Sequence, residues 1–145
     1  MGGSTGTGKS FLASALAESA CRQGLRALFV RVPRIVEELA VARVSGAYAS
    51  TLAKIARVDV VVLDDFLLTP MTETERRDLL ELLEDRYSRA STVITSQMST
   101  KTWHQALNDP TIADAICDRV LHNAHLVQLQ GPSMRKKKGL KPAKH

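Results

Sequence analysis

A glycine-rich stretch at the start of the chain constrains the fold more than any other feature of the sequence. Residues 3–10 fit the pattern G-x-x-x-x-G-K-[ST], and apolar residues at helical spacing follow from Phe11. Glycines permit positive φ angles, which bring backbone N–H groups close to a polyphosphate. The pattern therefore predicts a phosphate-binding loop that leads into a helix. The residues assigned to nucleotide binding are Gly3, Ser4, Thr5, Gly6, Thr7, Gly8, Lys9 and Ser10.

The last two residues of the pattern have separate roles. Lys9 would reach the β- and γ-phosphates, and the hydroxyl of Ser10 would bind Mg²⁺. The predicted helix runs from Lys9 to Arg22, and its positive N-terminal end favours the same anion. The alternative is a flexible glycine-rich segment that meets the pattern by chance. The face of the helix expected to be buried comprises Phe11, Leu12, Ala15, Leu16 and Ala20.

A pair of aspartates follows the most apolar strand of the sequence. Residues 58–64 are predicted to form a strand buried on both faces, and Asp64 and Asp65 stand at its end. A carboxylate at that position, beside a phosphate-binding loop, lies where the water shell of Mg²⁺ needs a negative partner. We therefore predict that Asp64 contributes to the metal site and that Asp65 polarises the attacking water. The alternative is a strand that ends in acids facing solvent.

Polar side chains also end the next predicted strand, at residues 95–97. The amide of Gln97 could reach the γ-phosphate or the water, and Ser96 is the second candidate. The alternative is polar residues that cap a strand end. Arg119 and Arg135 are isolated arginines, and an arginine placed across a subunit interface can stabilise the charge of phosphoryl transfer. A surface role is the alternative for either arginine.

Strands and helices alternate along the whole sequence. Further strands are predicted at 26–32, 91–96 and 125–130, and further helices at 33–46, 48–56, 72–87, near Trp103 and at 110–122. Strands separated by helices imply parallel crossover connections. The chain is therefore predicted to be an α/β protein with a parallel sheet.

Charge divides the chain into a body and a tail. Six lysines and arginines and no acid lie in residues 135–145, which leaves 14 basic and 15 acidic residues in 1–134. We predict one domain at 1–134 and a basic tail at 135–145, which binds phosphate backbones or is only a solvated segment. No apolar run is long enough for a membrane span and no secretory signal is evident, so the cytoplasm is the expected compartment.

With these residues assembled, the chain resembles the IstB-like ATP-binding family of insertion-sequence transposition helpers. That family belongs to the AAA+ proteins and is related to the DnaC type of helicase loader. The resemblance extends from Gly3 to about Lys136. Besides the phosphate loop, it rests on residues 63–65, 94–97, Trp103, 109–111, 113–115, 118–119, 122–125 and 131–135.

The resemblance implies a three-layer P-loop AAA+ core that binds and hydrolyses ATP with Mg²⁺. Members of this family self-associate into oligomers on DNA and contact the transposase. By similarity, Arg119 is the arginine finger that acts on a neighbour's nucleotide, and Arg135 is the second sensor. A helicase loader of the DnaC type is the alternative function, as is a non-catalytic remnant that only binds nucleic acid.

The chain departs from the family pattern in two ways. Many AAA+ relatives have glutamate at the position of Asp65. The family also has a hydrophobic strand before the phosphate loop, whereas this sequence begins inside the loop, so a truncated chain is expected. We expect the missing strand to belong between the strand that ends at Asp64 and its neighbour, and the chain to turn over ATP weakly.

Overall fold

The computed structural model describes residues 9–123 and 125–127. Its helices are Lys9–Arg22 (α1), Val32–Ser45 (α2), Tyr48–Ala56 (α3), Glu73–Arg86 (α4), Trp103–Leu107 (α5) and Pro110–Asn123 (α6), with a 3₁₀ turn at Thr100–Thr102. Its strands are Ala27–Arg31 (β1), Val60–Phe66 (β2), Ser91–Ser96 (β3) and His125–Val127 (β4). No helix within these residues has the length and apolar character that crossing a membrane requires.

The four strands form one parallel sheet in the order β1-β2-β3-β4. Ala27 is in register with Val60, Val61 with Thr92, and Val93 with His125. Helices connect successive strands, as parallel pairing requires. The prediction of an α/β protein with a parallel sheet is therefore confirmed.

β2 ends two residues later than its apolar pattern predicts. It runs from Val60 to Phe66 and includes both aspartates, whereas the sequence places its end at Asp64. Within the described residues β2 pairs directly with β1 and with β3, so no further strand lies between β2 and either neighbour. The place of a strand that would precede the phosphate loop stays a prediction.

The main hydrophobic core lies on the face of the sheet that is covered by the helices after α1. It is built around fully buried side chains such as Leu39, Leu63, Leu82 and Trp103. The indole of Trp103 packs edge-on against Phe66, with ring centroids 4.8 Å apart. This packing holds the end of β2 against the segment that follows β3.

α1 covers the other face of the sheet with small side chains. Ala13 and Ala17 pack against Val62 and Val93. The predicted buried face of α1 is wrong in large part, because Phe11 is 76% exposed and Leu12 and Leu16 are each 43% exposed. Apolar residues occur all round this helix, so periodicity alone does not select the buried side, and alanines allow the closest approach to the strands.

Candidate functional site

The carboxyl ends of the strands bring the candidate polar residues together. β1 ends at Arg31, β2 contains Asp64 and Asp65 near its end, and β3 ends at Ser96. Arg31 is in register with Asp64, and Phe66 is in register with Ser96. Because all these strands are parallel, these side chains lie at one edge of the sheet.

The N-terminus of α1 lies at the same edge. Four residues separate the end of α1 at Arg22 from the start of β1 at Ala27, so this end of α1 is at the amino edge. A helix of 14 residues is about 21 Å long, and a strand of seven residues about 23 Å. Since α1 packs across β2 and β3, the first residues of α1, Lys9 and Ser10, are placed towards the carboxyl edge.

A β-bulge holds the two aspartates. Leu63 pairs with Ile94 and Phe66 with Ser96, so two residues of β2 stand opposite Thr95 alone. Asp65 has a φ of 62°, in the left-handed region that non-glycine residues seldom adopt. Bulges of this kind bend the strand and redirect a side chain. The bulge therefore gives Asp64 and Asp65 different surroundings.

Asp64 and Asp65 are both buried, with exposures of 3% and 4%. The hydroxyl of Thr95 donates a hydrogen bond to Oδ1 of Asp64. The same hydroxyl oxygen accepts the backbone N–H of Asp65 at 3.0 Å. Nε of Arg31 donates to Oδ2 of Asp65 at 2.8 Å. Each aspartate thus has a separate partner on a neighbouring strand.

A small cavity lies beside Asp65. It has a volume of about 120 Å³ and is lined by Asp65, Val32, Pro33, Leu67 and Met71, among others. That volume exceeds the space that one water molecule needs, and a carboxylate supplies a polar partner. A water molecule can therefore approach the Asp65 side of the site.

The chemistry of this edge fits a magnesium ion held together with a phosphate. Mg²⁺ prefers oxygen ligands and is usually bound through one or two carboxylates plus substrate phosphates. Asp64 provides such a carboxylate, and Ser10 would provide a hydroxyl. Among the described residues, no group of three metal-ligating side chains forms a complete site. Phosphate oxygens and water molecules would complete the coordination.

The two sensor candidates at the end of β3, Ser96 and Gln97, differ in hydrogen bonding and in exposure. Oγ of Ser96 donates to the carbonyl of Phe66 at 2.9 Å and accepts the N–H of Met98 at 3.1 Å. Ser96 therefore closes the turn after the strand, whereas Gln97 is exposed directly beyond it. Of the two sensor candidates, Ser96 has its hydroxyl engaged in hydrogen bonds, and Gln97 has an exposed side chain.

Arg119 lies away from the aspartates. It is on α6, where its guanidinium stacks over the ring of Tyr87 at 4.8 Å and approaches Glu84 at 3.6 Å. Those partners are at the C-terminal end of α4, and four residues link this end to the start of β3. Arg119 is therefore at the amino edge of the sheet. Arg135 and residues 3–8 of the phosphate loop lie outside the described residues.

Sequence reasoning does not identify Thr95 and Arg31 as partners of the aspartates. Thr95 is one of three polar residues at a strand end, and Arg31 is one of many arginines in the chain. A signal for Arg31 exists in retrospect, because a charged residue at the end of a strand must lie at the same edge as Asp64. No comparable signal in the sequence indicates the bulge opposite Thr95.

Comparison with known proteins finds relatives of this chain with a shared kind of name. The family model described as IstB-like ATP binding protein matches residues 1–142. The chain is 49% identical over 134 residues to the putative insertion sequence ATP-binding protein y4pL of Sinorhizobium fredii, covering 92% of this chain and 55% of that protein. It is 46% identical over 100 residues to the insertion sequence IS1162 putative ATP-binding protein of Pseudomonas fluorescens, covering 69% and 43%. The chain thus spans about half the length of the curated relatives it matches.

Solved structures share the same fold. A DnaC helicase loader superposes with a TM-score of 0.70 at 22% identity, covering 86% of this chain and 73% of that one. AMPPCP-bound DnaA from Aquifex aeolicus superposes with a TM-score of 0.72 at 20% identity, covering 94% and 43%. These similarities confirm the predicted P-loop AAA+ type of α/β core.

Proposed function

Because the chain belongs to the IstB-like ATP-binding protein family, we propose that it binds Mg-ATP at the carboxyl edge of its sheet and serves as a helper ATPase in DNA transposition. The observation that carries this proposal is the shared position of Asp64 and the N-terminus of α1. A polyphosphate bound at that helix end would lie beside a buried carboxylate that can hold its metal ion.

The nucleotide would be held by residues 3–10. Backbone N–H groups of residues 3–8 would surround the phosphates, and the ammonium of Lys9 would pair with the β- and γ-phosphates. Ser10 and Asp64 would hold Mg²⁺, which supplies charge neutralisation at the phosphate oxygens. Arg135 would contact the nucleotide as the second sensor. The ATP-binding domain would comprise residues 1–134, and the basic tail at 135–145 would begin with Arg135 at the nucleotide.

Hydrolysis would require a second group of residues. Asp65 would polarise the attacking water, and the cavity at its side supports access for that water. Gln97 would contact the γ-phosphate or the water from the end of β3. Arg119 lies at the opposite edge, so it would act on the nucleotide of a neighbouring copy in an oligomer. This arrangement favours turnover in the assembled protein over turnover by single chains.

The partners proposed are DNA and the transposase of the same element, in the cytoplasm. Two relatives carry insertion-sequence ATP-binding names, which supports the link to transposition. The six basic residues of the tail would contribute a salt-dependent affinity for DNA.

Calorimetric titration of ATP in the presence of Mg²⁺ tests nucleotide binding. Lys9→Ala removes the charge paired with the phosphates, and hydrogen bonds to charged groups contribute about 1.5–3 kcal/mol. We expect the affinity to fall by about 10- to 150-fold. Lys54→Ala is the matched control, because Lys54 is an exposed lysine on α3, and it should bind ATP like the wild type. Equal ATP affinities in wild type and Lys9→Ala would contradict the proposal.

A helicase loader is the second candidate function. It is favoured by the extent of the superposition on the DnaC loader, which covers 73% of that chain. The two functions differ in the partner protein. Affinity capture with the transposase of the same element and with a replicative hexameric helicase separates them, because each function predicts binding to only one.

A further inference from the structure

We propose that Thr95 is a positioning residue that sets both aspartates for their separate roles, an inference that rests on the proposed function. The carboxylate of Asp64 is oriented for the magnesium ion and the backbone of Asp65 is fixed for the water. One side-chain hydroxyl performs both tasks, and Thr95 contacts neither reactant.

The direction of the two hydrogen bonds follows from the chemistry of the groups. A hydroxyl has one proton, and an ionised carboxylate can only accept. The proton of Thr95 is therefore directed to Oδ1 of Asp64, and a lone pair accepts the N–H of Asp65. A carboxylate has about four lone-pair sites, so Asp64 keeps acceptor capacity for a cation after this hydrogen bond forms.

The bulge explains why a hydroxyl is needed at this position. Two residues of β2 face one residue of β3, so the regular ladder of backbone hydrogen bonds is interrupted between Leu63 and Phe66. A buried N–H group without a partner is costly. The side chain of Thr95 supplies that partner for Asp65, whose φ of 62° is itself unfavourable for an aspartate. Loss of the hydroxyl would release the backbone conformation that directs the carboxylate of Asp65 towards Arg31.

Burial keeps water from taking the place of the Thr95 hydroxyl. Thr95 is 0% exposed, so water does not replace its hydroxyl without rearrangement. Partners that orient a metal ligand commonly change metal affinity by about 10- to 100-fold when removed. Thr95 is therefore expected to control how much Mg²⁺ the chain needs to bind ATP.

The test compares Thr95→Val, which has nearly the same shape and no hydroxyl, with Thr95→Ser, which keeps the hydroxyl. Binding of a fluorescent ATP analogue is measured over a range of Mg²⁺ concentrations and in EDTA. Thr95→Val is expected to need about 10- to 100-fold more Mg²⁺ for half-saturation, with the affinity in EDTA unchanged. Thr95→Ser should behave like the wild type.

Amide hydrogen exchange provides a readout without nucleotide or metal. In Thr95→Val the N–H of Asp65 should exchange at least about tenfold faster, because it loses the Thr95 hydroxyl as its acceptor, whereas the N–H of Val62 should keep its rate. In Thr95→Ser both rates should remain those of the wild type.

Thr92→Val is the matched control. Thr92 is buried in the same strand, and its hydroxyl accepts Nε of Arg86 at 2.9 Å, away from the aspartates. This variant should keep the wild-type Mg²⁺ requirement. If Thr95→Val does not fold, Thr95→Ala replaces it, because the smaller side chain also lacks the hydroxyl.

The outcomes separate the inference from the proposed function. A wild-type chain that binds no Mg-ATP overturns the proposed function and this inference with it. A wild-type chain that binds Mg-ATP, with Thr95→Val matching Thr92→Val in Mg²⁺ requirement, overturns the inference alone. Failure of both hydroxyl-free variants to fold, with Thr92→Val folded, assigns Thr95 to stability and also overturns it.

Discussion

At the scale of single residues, the ion pair between Arg31 and Asp65 joins an exposed side chain to a buried one. The side chain of Arg31 is 55% exposed, whereas that of Asp65 is 5% exposed. A buried carboxylate depends on its partner more than an exposed guanidinium does, because the carboxylate has given up its hydration. Arg31 therefore supplies a charged hydrogen-bond donor to a carboxylate that is almost fully buried.

Arg31→Met is expected to lower the free energy of unfolding by about 1.5–3 kcal/mol. The methionine keeps the apolar stem but leaves the carboxylate of Asp65 without the guanidinium. Arg34→Met is the matched control, because Arg34 pairs with Glu38 one turn along α2 and both side chains are at least half exposed. In urea denaturation, the free energy of unfolding of that control should stay within about 0.5 kcal/mol of the wild-type value. Equal losses of unfolding free energy in the two variants would show that the Arg31–Asp65 pair stabilises the fold no more than the exposed Arg34–Glu38 pair does.

At the scale of elements, Arg86 connects α4 to the starts of two strands. Its buried guanidinium donates to the carbonyls of Ile55, Ala56, Val58 and Ser91 and to the hydroxyl of Thr92. Burial lowers the pKa of Arg86 to about 10, so the side chain is still protonated at neutral pH. These contacts join the end of α3, the approach to β2 and the first residues of β3. Arg86 therefore fixes the amino edge of the sheet.

Arg86→Met should destabilise the fold by at least about 3 kcal/mol, because several buried carbonyls lose their donor at once. Arg77→Met is the matched control on the same helix, since Arg77 pairs with Glu73 at the surface and is 67% exposed. Thermal or urea unfolding measures the difference between the two variants. A loss of less than about 1 kcal/mol in Arg86→Met would contradict this role.

At the scale of the whole molecule, the candidate groups lie at opposite edges of one sheet. Asp64 and Asp65 are at the carboxyl edge, and Arg119 is held beside Tyr87 at the amino edge. The length of β2, about 23 Å, separates the two edges. A nucleotide bound at Asp64 is therefore out of reach of Arg119 in the same chain, which supports its proposed action on a neighbouring copy.

Arg119→Ala should leave ATP affinity within about twofold of the wild type and reduce turnover by oligomers by about 10³-fold or more. Mixing this variant with Lys9→Ala should restore part of the turnover, because each variant supplies the group that the other lacks. Arg89→Ala is the control, since Arg89 is an exposed arginine at the same edge. An ATP affinity reduced as far as in Lys9→Ala would contradict the action on a neighbour.

Local pattern was enough to predict the elements and the class of the fold. The limits of α1 and β3 agree with the structure, and α3 begins and ends where its apolar spacing indicates. Asp64 could be placed at a sheet edge because the end of a parallel strand has only one location relative to its neighbours. These features depend on residues close together in the sequence, so periodicity, glycine and charge suffice to predict them.

The arrangement inside the site was decided by tertiary structure alone. The bulge that places Asp64 and Asp65 opposite Thr95 depends on the register between β2 and β3, whose residues are about 30 positions apart. The buried side of α1 likewise depends on what the sheet can accommodate, so alanines pack inward and Phe11 remains exposed. Sequence by itself determined the order and type of the strands and helices, although β2 ends two residues beyond its predicted end. Only the packed sheet decided which side chains meet, because register and packing distance are properties of pairs of elements that no single segment contains.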